Sequence, residues 1–249
     1  TGVDWQHPDL GGTPPLHRDG NVWTNWAEVH GLTGVDDDAN GYVDDVRGWD
    51  FVGSLSSAWP GEDATLQDND PSDFNGHGTH VAGIAGAITN NGLGVAGVGY
   101  QCKLMALRIG GSVDDGGGNE QGVVLLSAAA AAINYARQKG AAAINCSWGS
   151  SYTSSLAAAV AAAVAQGMVV VVAAGNDGAS YLGSRGDCFD VAASNGDDVR
   201  ASFSNYGSWV DVTAPGVDIY STYYNHTQPA APHTYQFLQG TSMAAPVVT

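Results

Sequence analysis

The run from Ala142 to Ala173 constrains the fold most strongly, because it holds two strand patterns around one helical pattern. Ala142–Ser147 and Met168–Ala173 are short and apolar throughout, which is typical of strands buried on both faces. Between them, Leu156–Gln166 is rich in alanine and is followed by Gly167, a usual residue at a helix C-terminus. Strand, helix and strand in this order predict a parallel sheet.

The same region imitates a membrane span, since Leu156–Gly175 is almost wholly apolar. Gln166–Gly167 interrupts it, and its composition changes there from alanine-rich to valine-rich. We therefore interpret it as a helix followed by a buried strand, and not as a span of ~20 residues. Similar patterns, a strand at Lys103–Ile109, a loop at 110–118 and a helix at Asn119–Lys139, predict one α/β domain over 1–249. Helices should cover both faces of its sheet.

Acidic residues outnumber basic residues by 25 to 8, which gives a formal net charge of -17. We expect no nucleic-acid binding, because phosphates attract Lys and Arg, and no binding to an anionic membrane surface. Clustered carboxylates repel one another unless a cation lies between them, so the charge suits a secreted protein with bound cations.

The three cysteines are spaced too irregularly for a zinc module. They allow at most one internal disulfide, and a bridge between Cys102 and Cys188 is conceivable. Cys146 lies in an apolar strand pattern and is expected to behave as a small buried hydrophobe.

The stretch Asp36–Asp45 reads Asp-Asp-Asp-Ala-Asn-Gly-Tyr-Val-Asp-Asp. Oxygen-bearing side chains at alternate positions, with a glycine at the sharp turn, are typical of the first part of an EF-hand-type calcium loop. The bidentate Glu of the twelfth position is absent, because Arg47 stands there. A solvated acidic loop is the alternative. The candidate ligands are Asp36, Asp38, Asn40, Tyr42 and Asp44.

Ser242 follows a glycine turn and precedes a helical pattern in the stretch Gly240–Pro246. Its hydroxyl is predicted at a helix N-terminus, where unpaired N–H groups favour the oxyanion that forms when a nucleophile attacks a carbonyl. An isolated serine at such a place would serve as an N-cap. The spacing differs from the Gly-x-Ser-x-Gly of α/β-hydrolases, because Ala244 replaces the second glycine.

Two further stretches carry an imidazole and an amide. Asn75–Gly83 reads Asn-Gly-His-Gly-Thr-His-Val-Ala-Gly, and Ala173–Asn176 reads Ala-Ala-Gly-Asn. His77 and His80 lie one helical turn apart, but the Glu of the zinc pattern His-Glu-x-x-His is missing, so zinc is not expected. A serine hydroxyl becomes a good nucleophile only when an imidazole removes its proton.

These stretches resemble three motif blocks of the subtilisin-like serine peptidases, the subtilases, in the order of that family. Three shorter blocks match as well: His7–Leu10, Ser147–Gly149 and Ala214–Gly216. The resemblance covers nearly the whole chain. It implies the subtilisin-like three-layer α/β fold with a mostly parallel central sheet.

The resemblance also implies residue roles. Ser242 would be the nucleophile and His77 the general base and then the acid, while His80 would be structural. Asn176 would donate its side-chain amide to the oxyanion together with the Ser242 N–H. The implied substrate-binding residues are the pocket walls Ser147, Trp148 and Gly149, the opposite wall Ala173, Ala174 and Gly175, Ser180 near the pocket bottom, and Gly110 and Gly111 as strand partners of the substrate.

The chain departs from the family pattern in two places. In subtilases the catalytic aspartate immediately precedes a Thr/Ser-Gly pair, and here that pair is Thr1–Gly2, whereas Asp4 matches a second acidic residue. We therefore expect a fragment of a larger product, truncated at both ends and poorly active alone because the triad carboxylate is missing. Tyr181–Leu182 replaces the usual Tyr-Pro near the pocket floor, and medium or large apolar substrate side chains are expected.

By resemblance, structural calcium would be held near Asp9 and Asn91 and the backbone carbonyls of Thr89, Leu93 and Val95. The resemblance further implies a secreted, monomeric endopeptidase that acts on polypeptides, with an N-terminal pro-segment in the parent. Two alternatives are a non-catalytic, calcium-stabilised binding module and an esterase or lipase, although the latter would need the nucleophile elbow.

Overall fold

The computed structural model describes residues 1–13, 19–149, 153–180 and 186–249. Its contacts divide the chain into two compact units. The first unit comprises Thr1–Ala132 and Thr222–Thr234, and the second comprises Ile133–Ser221 and Tyr235–Thr249. The single catalytic domain over 1–249 stays a prediction.

The first unit contains short strands and the helix that begins at His77. Its elements are α1 (Trp26–His30), β1 (Gly48–Asp50), α2 (His77–Gly86), β2 (Ala106–Arg108), β3 (Gly110–Asp114), β4 (Glu120–Val124) and the beginning of α3 (Leu126–Gln138). β1 pairs with β2 in parallel, and β3 pairs with β4 in antiparallel. A small core in this unit is formed by Leu10, Val22, Ala82 and Ala87.

The second unit is built on a parallel four-stranded sheet. Its elements are the end of α3, β5 (Ala143–Cys146), α4 (Ser154–Ala165), β6 (Val169–Ala173), β7 (Phe189–Ser194), β8 (Val212–Pro215) and α5 (Thr241–Val248). The strands lie in the order β5-β6-β7-β8. β9 (Ile219–Tyr224) and β10 (His233–Leu238) pair with each other, and the chain passes between the units within both strands.

The parallel sheet confirms the α/β fold class predicted from the apolar runs. Val171 and Val191 are fully buried, as expected for strands covered on both faces. Ala244 and Ala245 of α5 belong to the same buried cluster, so the helix that carries Ser242 packs directly on the sheet. Among the described residues, no helix has the length and apolar character needed to cross a membrane.

Helix α4 lies in the segment that imitated a membrane span. Its N-cap is Thr153, whose hydroxyl accepts the Leu156 N–H at 3.3 Å. Gly167 follows the helix with a φ of 86°, which favours glycine and ends the helix before β6. The interpretation as helix, glycine and strand is therefore confirmed.

The predicted loop at 110–118 and the predicted start of the following helix at Asn119 were both wrong. The chain forms the hairpin β3–β4 here, and α3 begins only at Leu126. The turn itself is confined to the tip, where the Asp114 and Asp115 carboxylates each accept a backbone N–H at 2.7 Å, from Gly116 and Gly117. The glycines and aspartates of this stretch therefore predicted the turn correctly, but they did not predict the two strands on either side of it.

All three cysteines lie among the described residues, and none of them forms a disulfide. The conceivable bridge between Cys102 and Cys188 is therefore not formed. Burial raises the pKa of the Cys146 thiol to about 12, which agrees with its expected behaviour as a small hydrophobe.

Replacing Leu156 with alanine should destabilise the protein, because this side chain of α4 is fully buried. We expect the free energy of unfolding in urea to fall by about 2–5 kcal/mol. Leu66→Ala is the matched control, since Leu66 is 70% exposed and its loss should change the same quantity by less than about 0.5 kcal/mol. Equal losses for the two variants would contradict the described core.

Candidate catalytic site

Ser242 lies in the first turn of α5, as the sequence predicts. Its hydroxyl donates to the Ser147 carbonyl at 3.1 Å, and the Ser147 hydroxyl donates to the Ser242 carbonyl at 2.7 Å. The second bond is needed because Pro246 has no N–H to give the Ser242 carbonyl its helical partner. These reciprocal bonds hold the serine-bearing turn against the end of β5. Among the described residues, the Ser242 N–H has no hydrogen-bond partner.

The side chain of Asn176 is oriented by Thr241. Its Oδ1 accepts both the N–H and the hydroxyl of Thr241, at 2.9 and 3.0 Å. The Thr241 hydroxyl also accepts the N–H of Gly175, which turns with a φ of 98°. Because Oδ1 is committed to Thr241, the Nδ2 group of Asn176 is the donor left to bind a ligand. Thr241 was not predicted as a site residue, although it directly precedes Ser242.

The predicted pocket walls continue from two neighbouring parallel strands. β5 pairs with β6 in the register Cys146–Val172, so Ser147, which follows β5, and Ala173, the last residue of β6, lie at the same carboxyl edge of the sheet. Ser147, Ala173 and Ala174 are buried, whereas Gly149 and Asn176 are exposed. Ser180 is exposed and forms an isolated bridge with Tyr206, and Tyr181–Leu182 lies outside the described residues.

His77 is the first residue of α2, in the first unit. Gly76 precedes it with a φ of 92°, and a Cβ there would lie 2.4 Å from the Tyr223 ring, so this position requires glycine. Burial lowers the pKa of His77 to about 4, with smaller contributions from the Thr1 ammonium and from His80. The imidazole is therefore neutral near pH 7 and can accept a proton.

The first residues of the chain run along the N-terminal turn of α2. The Gly78 N–H donates to the Thr1 hydroxyl at 3.0 Å, and the Asp4 N–H donates to the Thr79 hydroxyl at 2.9 Å. A Cβ on Gly78 would lie 2.0 Å from the Gly2 carbonyl oxygen, so only glycine allows this approach. His80 is fully buried, in keeping with its expected structural role.

Gly110 and Gly111 lie in β3, and both are buried. One edge of β3 pairs with β4, and along its other edge the Ser112 carbonyl accepts the Trp59 N–H while the Asp114 N–H donates to Ser57. A Glu62 carboxylate oxygen lies 2.7 Å from the position of a Cβ on Gly111. These contacts disfavour the expected pairing of the two glycines with a substrate strand, because Gly111 faces β4 and the following residues of β3 are already paired on the other edge.

β4 has the exposed edge of this hairpin. The Leu125 N–H donates to the Ile109 carbonyl, and the Asp115 N–H donates to the Asn119 carbonyl. These two bonds determine which residues of β4 point their backbone groups toward β3 and which point them away. In this pattern the N–H and C=O groups of Glu120, Gly122 and Val124 point away from β3. Among the described residues no further strand pairs with them.

The first predicted calcium site brings Asp9 and Asn91 together. The buried Asp9 carboxylate accepts the Asn91 Nδ2 at 2.6 Å and the Val95 N–H at 2.9 Å, and the Leu93 N–H donates to the Asn91 Oδ1. As described, Asp9 meets the N–H end of the Asn91 amide, whose oxygen is bonded to the Leu93 N–H. The predicted ligands therefore lie together, but a calcium ion would need the Asn91 oxygen turned toward Asp9. Within the part of the chain that the structure describes, Thr89 forms no hydrogen bond at this site.

The second predicted site, in Asp36–Asp45, is only partly as expected. Asp38 meets two carboxylates that sequence reasoning missed, Glu28 and Asp45, and one oxygen of each lies within 4.8 Å of the others. The Asp36 carboxylate instead accepts the N–H groups of Asn40 and Gly41. The Asn40 Oδ1 accepts the Tyr42 N–H, and an Asp44 oxygen accepts the Gly34 N–H.

Glu28 and Asp45 are buried, and three carboxylates so close together repel one another. The donor set therefore fits a divalent cation. No spacing rule would have found Glu28, which lies in α1 ahead of the loop, whereas Asp45 adjoins the predicted ligand Asp44.

A histidine pair lies beside Asp4 in the first unit. The His233 Nδ1 is 2.6 Å from an Asp4 carboxylate oxygen, and the His7 ring meets the His233 ring edge to face at 5.8 Å. The His7 Nε2 lies 3.0 Å from the Thr234 carbonyl. The hydrogen bond with Asp4 raises the pKa of His233, whereas burial lowers that of His7.

The stabilising contribution of His233 should therefore decline as the pH rises above 6.5. A histidine whose folded pKa exceeds its unfolded value stabilises the fold fully below the unfolded value, 6.5, and loses this contribution as the pH passes the folded value. In His233→Gln this part of the urea-unfolding profile should flatten, by less than about 1 kcal/mol because His233 is partly exposed. The exposed His30→Gln is the control, and identical slopes in the His233 variant and the wild type would contradict the described pair.

Comparison with known proteins gives a consistent family. A family model described as "Subtilase family" matches residues 1–249. The chain is 39% identical over 257 residues to the thermophilic serine proteinase of Bacillus sp. (strain AK1), covering 100% of this chain and 48% of that protein. It is 41% identical over 207 residues to thermitase of Thermoactinomyces vulgaris, covering 82% of this chain and 64% of that protein.

Solved structures agree. A protease of Pseudoalteromonas arctica PAMC 21717 matches with a TM-score of 0.69 and 33% identity, over 81% of this chain and 68% of that one. Sphericase matches with a TM-score of 0.68 and 29% identity, over 100% of this chain and 72% of that one. The chain spans about half to two thirds of the length of the two curated relatives.

Proposed function

Because this chain belongs to the subtilase family, we propose that it carries the catalytic machinery of a serine endopeptidase. Ser242 is the nucleophile, His77 the general base and Asn176 an oxyanion donor. The observation that carries the proposal is the pair of uncommitted donors beside the serine, the Ser242 N–H and the Asn176 Nδ2. Two N–H groups near one hydroxyl are what an oxyanion hole requires.

The proposed reaction proceeds through an acyl-enzyme. The neutral His77 imidazole takes the Ser242 proton as the hydroxyl oxygen attacks the peptide carbonyl carbon, and the two donors bind the oxyanion that forms. The imidazolium then gives this proton to the leaving amine, and water releases the acyl group with the same base.

An orienting carboxylate belongs, by family pattern, to the residue before Thr1. The Thr1 hydroxyl accepts the Gly78 N–H at 3.0 Å, so a residue joined to Thr1 would lie near the first turn of the helix that begins at His77. A carboxylate at that place would favour the imidazolium that forms during attack.

The substrate pairs with β4 in this proposal. Gly122 and Val124 point their backbone N–H and C=O groups toward the exposed edge, where an extended polypeptide can add as a further strand. A Cβ on Gly122 would lie 3.2 Å from Asn75, which is two residues before His77. A strand bound along β4 therefore passes close to the general base.

Two alternatives fit less well. A non-catalytic binding module would have no need for His77, Asn176 and Ser242 together. An esterase or lipase would share the acyl chemistry, but Ala244 stands where its nucleophile elbow has glycine.

The full-length protein should hydrolyse a chromogenic peptide and react with a fluorophosphonate at Ser242. Ser242→Ala should abolish both, and Asn176→Ala should lower kcat by about 10²- to 10³-fold with little change in KM. Asn195→Ala, which removes an amide from a surface turn, is the control. Unlabelled Ser242 in a folded protein would favour the binding module, and hydrolysis of lipid esters but not of peptides would favour the esterase.

We further propose calcium at the Asp9 site and at the cluster Glu28, Asp38 and Asp45. A bound ion would offset the repulsion among the carboxylates, and its affinity would add to stability. We also propose that the full-length protein is secreted and monomeric, that it acts on polypeptides, and that it carries an N-terminal pro-segment.

Removing calcium with EGTA should lower the melting temperature. Saturation at about 100 times Kd is worth about 2.7 kcal/mol, or roughly 5–10 °C for a chain of this size. Glu28→Gln should weaken calcium binding in calorimetry, whereas the exposed Asp197→Asn should not. An unchanged melting curve in excess EGTA would contradict the proposal.

A further inference from the structure

The exposed edge of β4 presents one particular face of the hairpin to an added strand. Asp114 lies directly opposite Glu120 in the register, and Ser112 lies opposite Gly122. Opposite residues of an antiparallel pair share a face, so the side chains of Ser112, Asp114 and Glu120 lie on the same side. The Ser112 hydroxyl donates to the Glu120 carboxylate at 2.5 Å, in agreement with this arrangement.

This face adjoins the turn that precedes His77. The Asn75 Nδ2 donates to the Ser112 hydroxyl at 3.0 Å, and Gly122 lies against the same amide. An added strand would therefore pass Asn75 at Gly122 and reach Glu120 two residues farther along. The order of contacts follows from the register alone, since every second residue of a strand faces the same side.

The face is strongly electronegative. The hairpin from Gly110 to Val124 contains Asp114, Asp115 and Glu120 but no Lys, Arg or His. Two carboxylates stand directly opposite each other at Asp114 and Glu120, an arrangement that repels. The His226 Nε2 lies 3.5 Å from a Glu120 oxygen, and yet the Glu120 side chain stays 24% exposed.

We infer that Glu120, with Asp114 opposite it, selects substrates that carry a basic side chain at the position facing Glu120 on the added strand. The inference rests on the proposed peptidase function and names a specificity determinant for it. A cross-strand Lys or Arg would lie beside Glu120, with Asp114 one strand farther away, and would offset part of the negative charge of the pair. An acidic side chain at that position would add a third negative charge.

The test uses the full-length protein and a peptide series that places Lys, Gln or Glu at each of the positions flanking one cleavage site. At one position, two residues from the one that pairs with Gly122, kcat/KM should follow the order Lys, Gln, Glu, with about two- to fivefold between Lys and Gln. Glu120→Gln should remove most of this ratio while it keeps an oxygen for the Ser112 hydroxyl.

Asp197→Asn is the charge-matched control, since it removes one negative charge from an exposed turn and should leave the ratio unchanged. A second measurement needs no variant. Salt should reduce kcat/KM for the Lys peptide more than for the Gln peptide, because screening weakens the attraction between exposed charges.

The outcomes separate the two proposals. If no peptide is cleaved, the proposed peptidase function fails. If peptides are cleaved without a Lys preference, or with a preference that survives both Glu120→Gln and high salt, this inference fails and the peptidase function stands.

Discussion

The hydroxyl of Thr241 joins the two turns on which the candidate oxyanion donors lie. It accepts a hydrogen bond from the Gly175 N–H and donates one to the Asn176 Oδ1, while the backbone N–H of Thr241 donates to the same oxygen. An amide has only one oxygen, so these bonds fix which end of Asn176 is free to donate. Without the two hydrogen bonds from Thr241, the Asn176 amide could rotate by about 180°. Its oxygen, instead of its N–H groups, would then face a developing negative charge.

A proline in α5 makes a second hydrogen bond of the candidate site necessary, between Ser147 and Ser242. Pro246 leaves the Ser242 carbonyl without its helical donor, and the Ser147 hydroxyl supplies the missing bond. The Asn145 side chain in turn donates to the Ser147 hydroxyl. The position of Ser242 thus depends on the end of β5 as much as on its own helix.

The sequence was sufficient for the parts of the fold that depend on local burial. The run of valines in β6, next to the alanine-rich helix α4, predicted the parallel sheet. A strand that is covered on both faces does not need to alternate apolar and polar residues. The sequence was insufficient for the hairpin, where pairing with Trp59 and Ser57 stabilises β3 although glycine and aspartate favour a turn. In the candidate site, the position of Ser242 at the start of a helix followed from the sequence, whereas the roles of Ser242 and Asn176 stay predictions. Thr241 and Glu28 act through contacts that no motif spacing encodes.

Gly2 and Gly78 meet with no room for even a methyl group between them. Close-packed backbones of this kind do not slide by fractions of an ångström, because each carbonyl and amide is already in contact. The leading segment of the chain therefore supports the first turn of the helix that begins at His77, and the placement of this imidazole depends on residues outside its own helix.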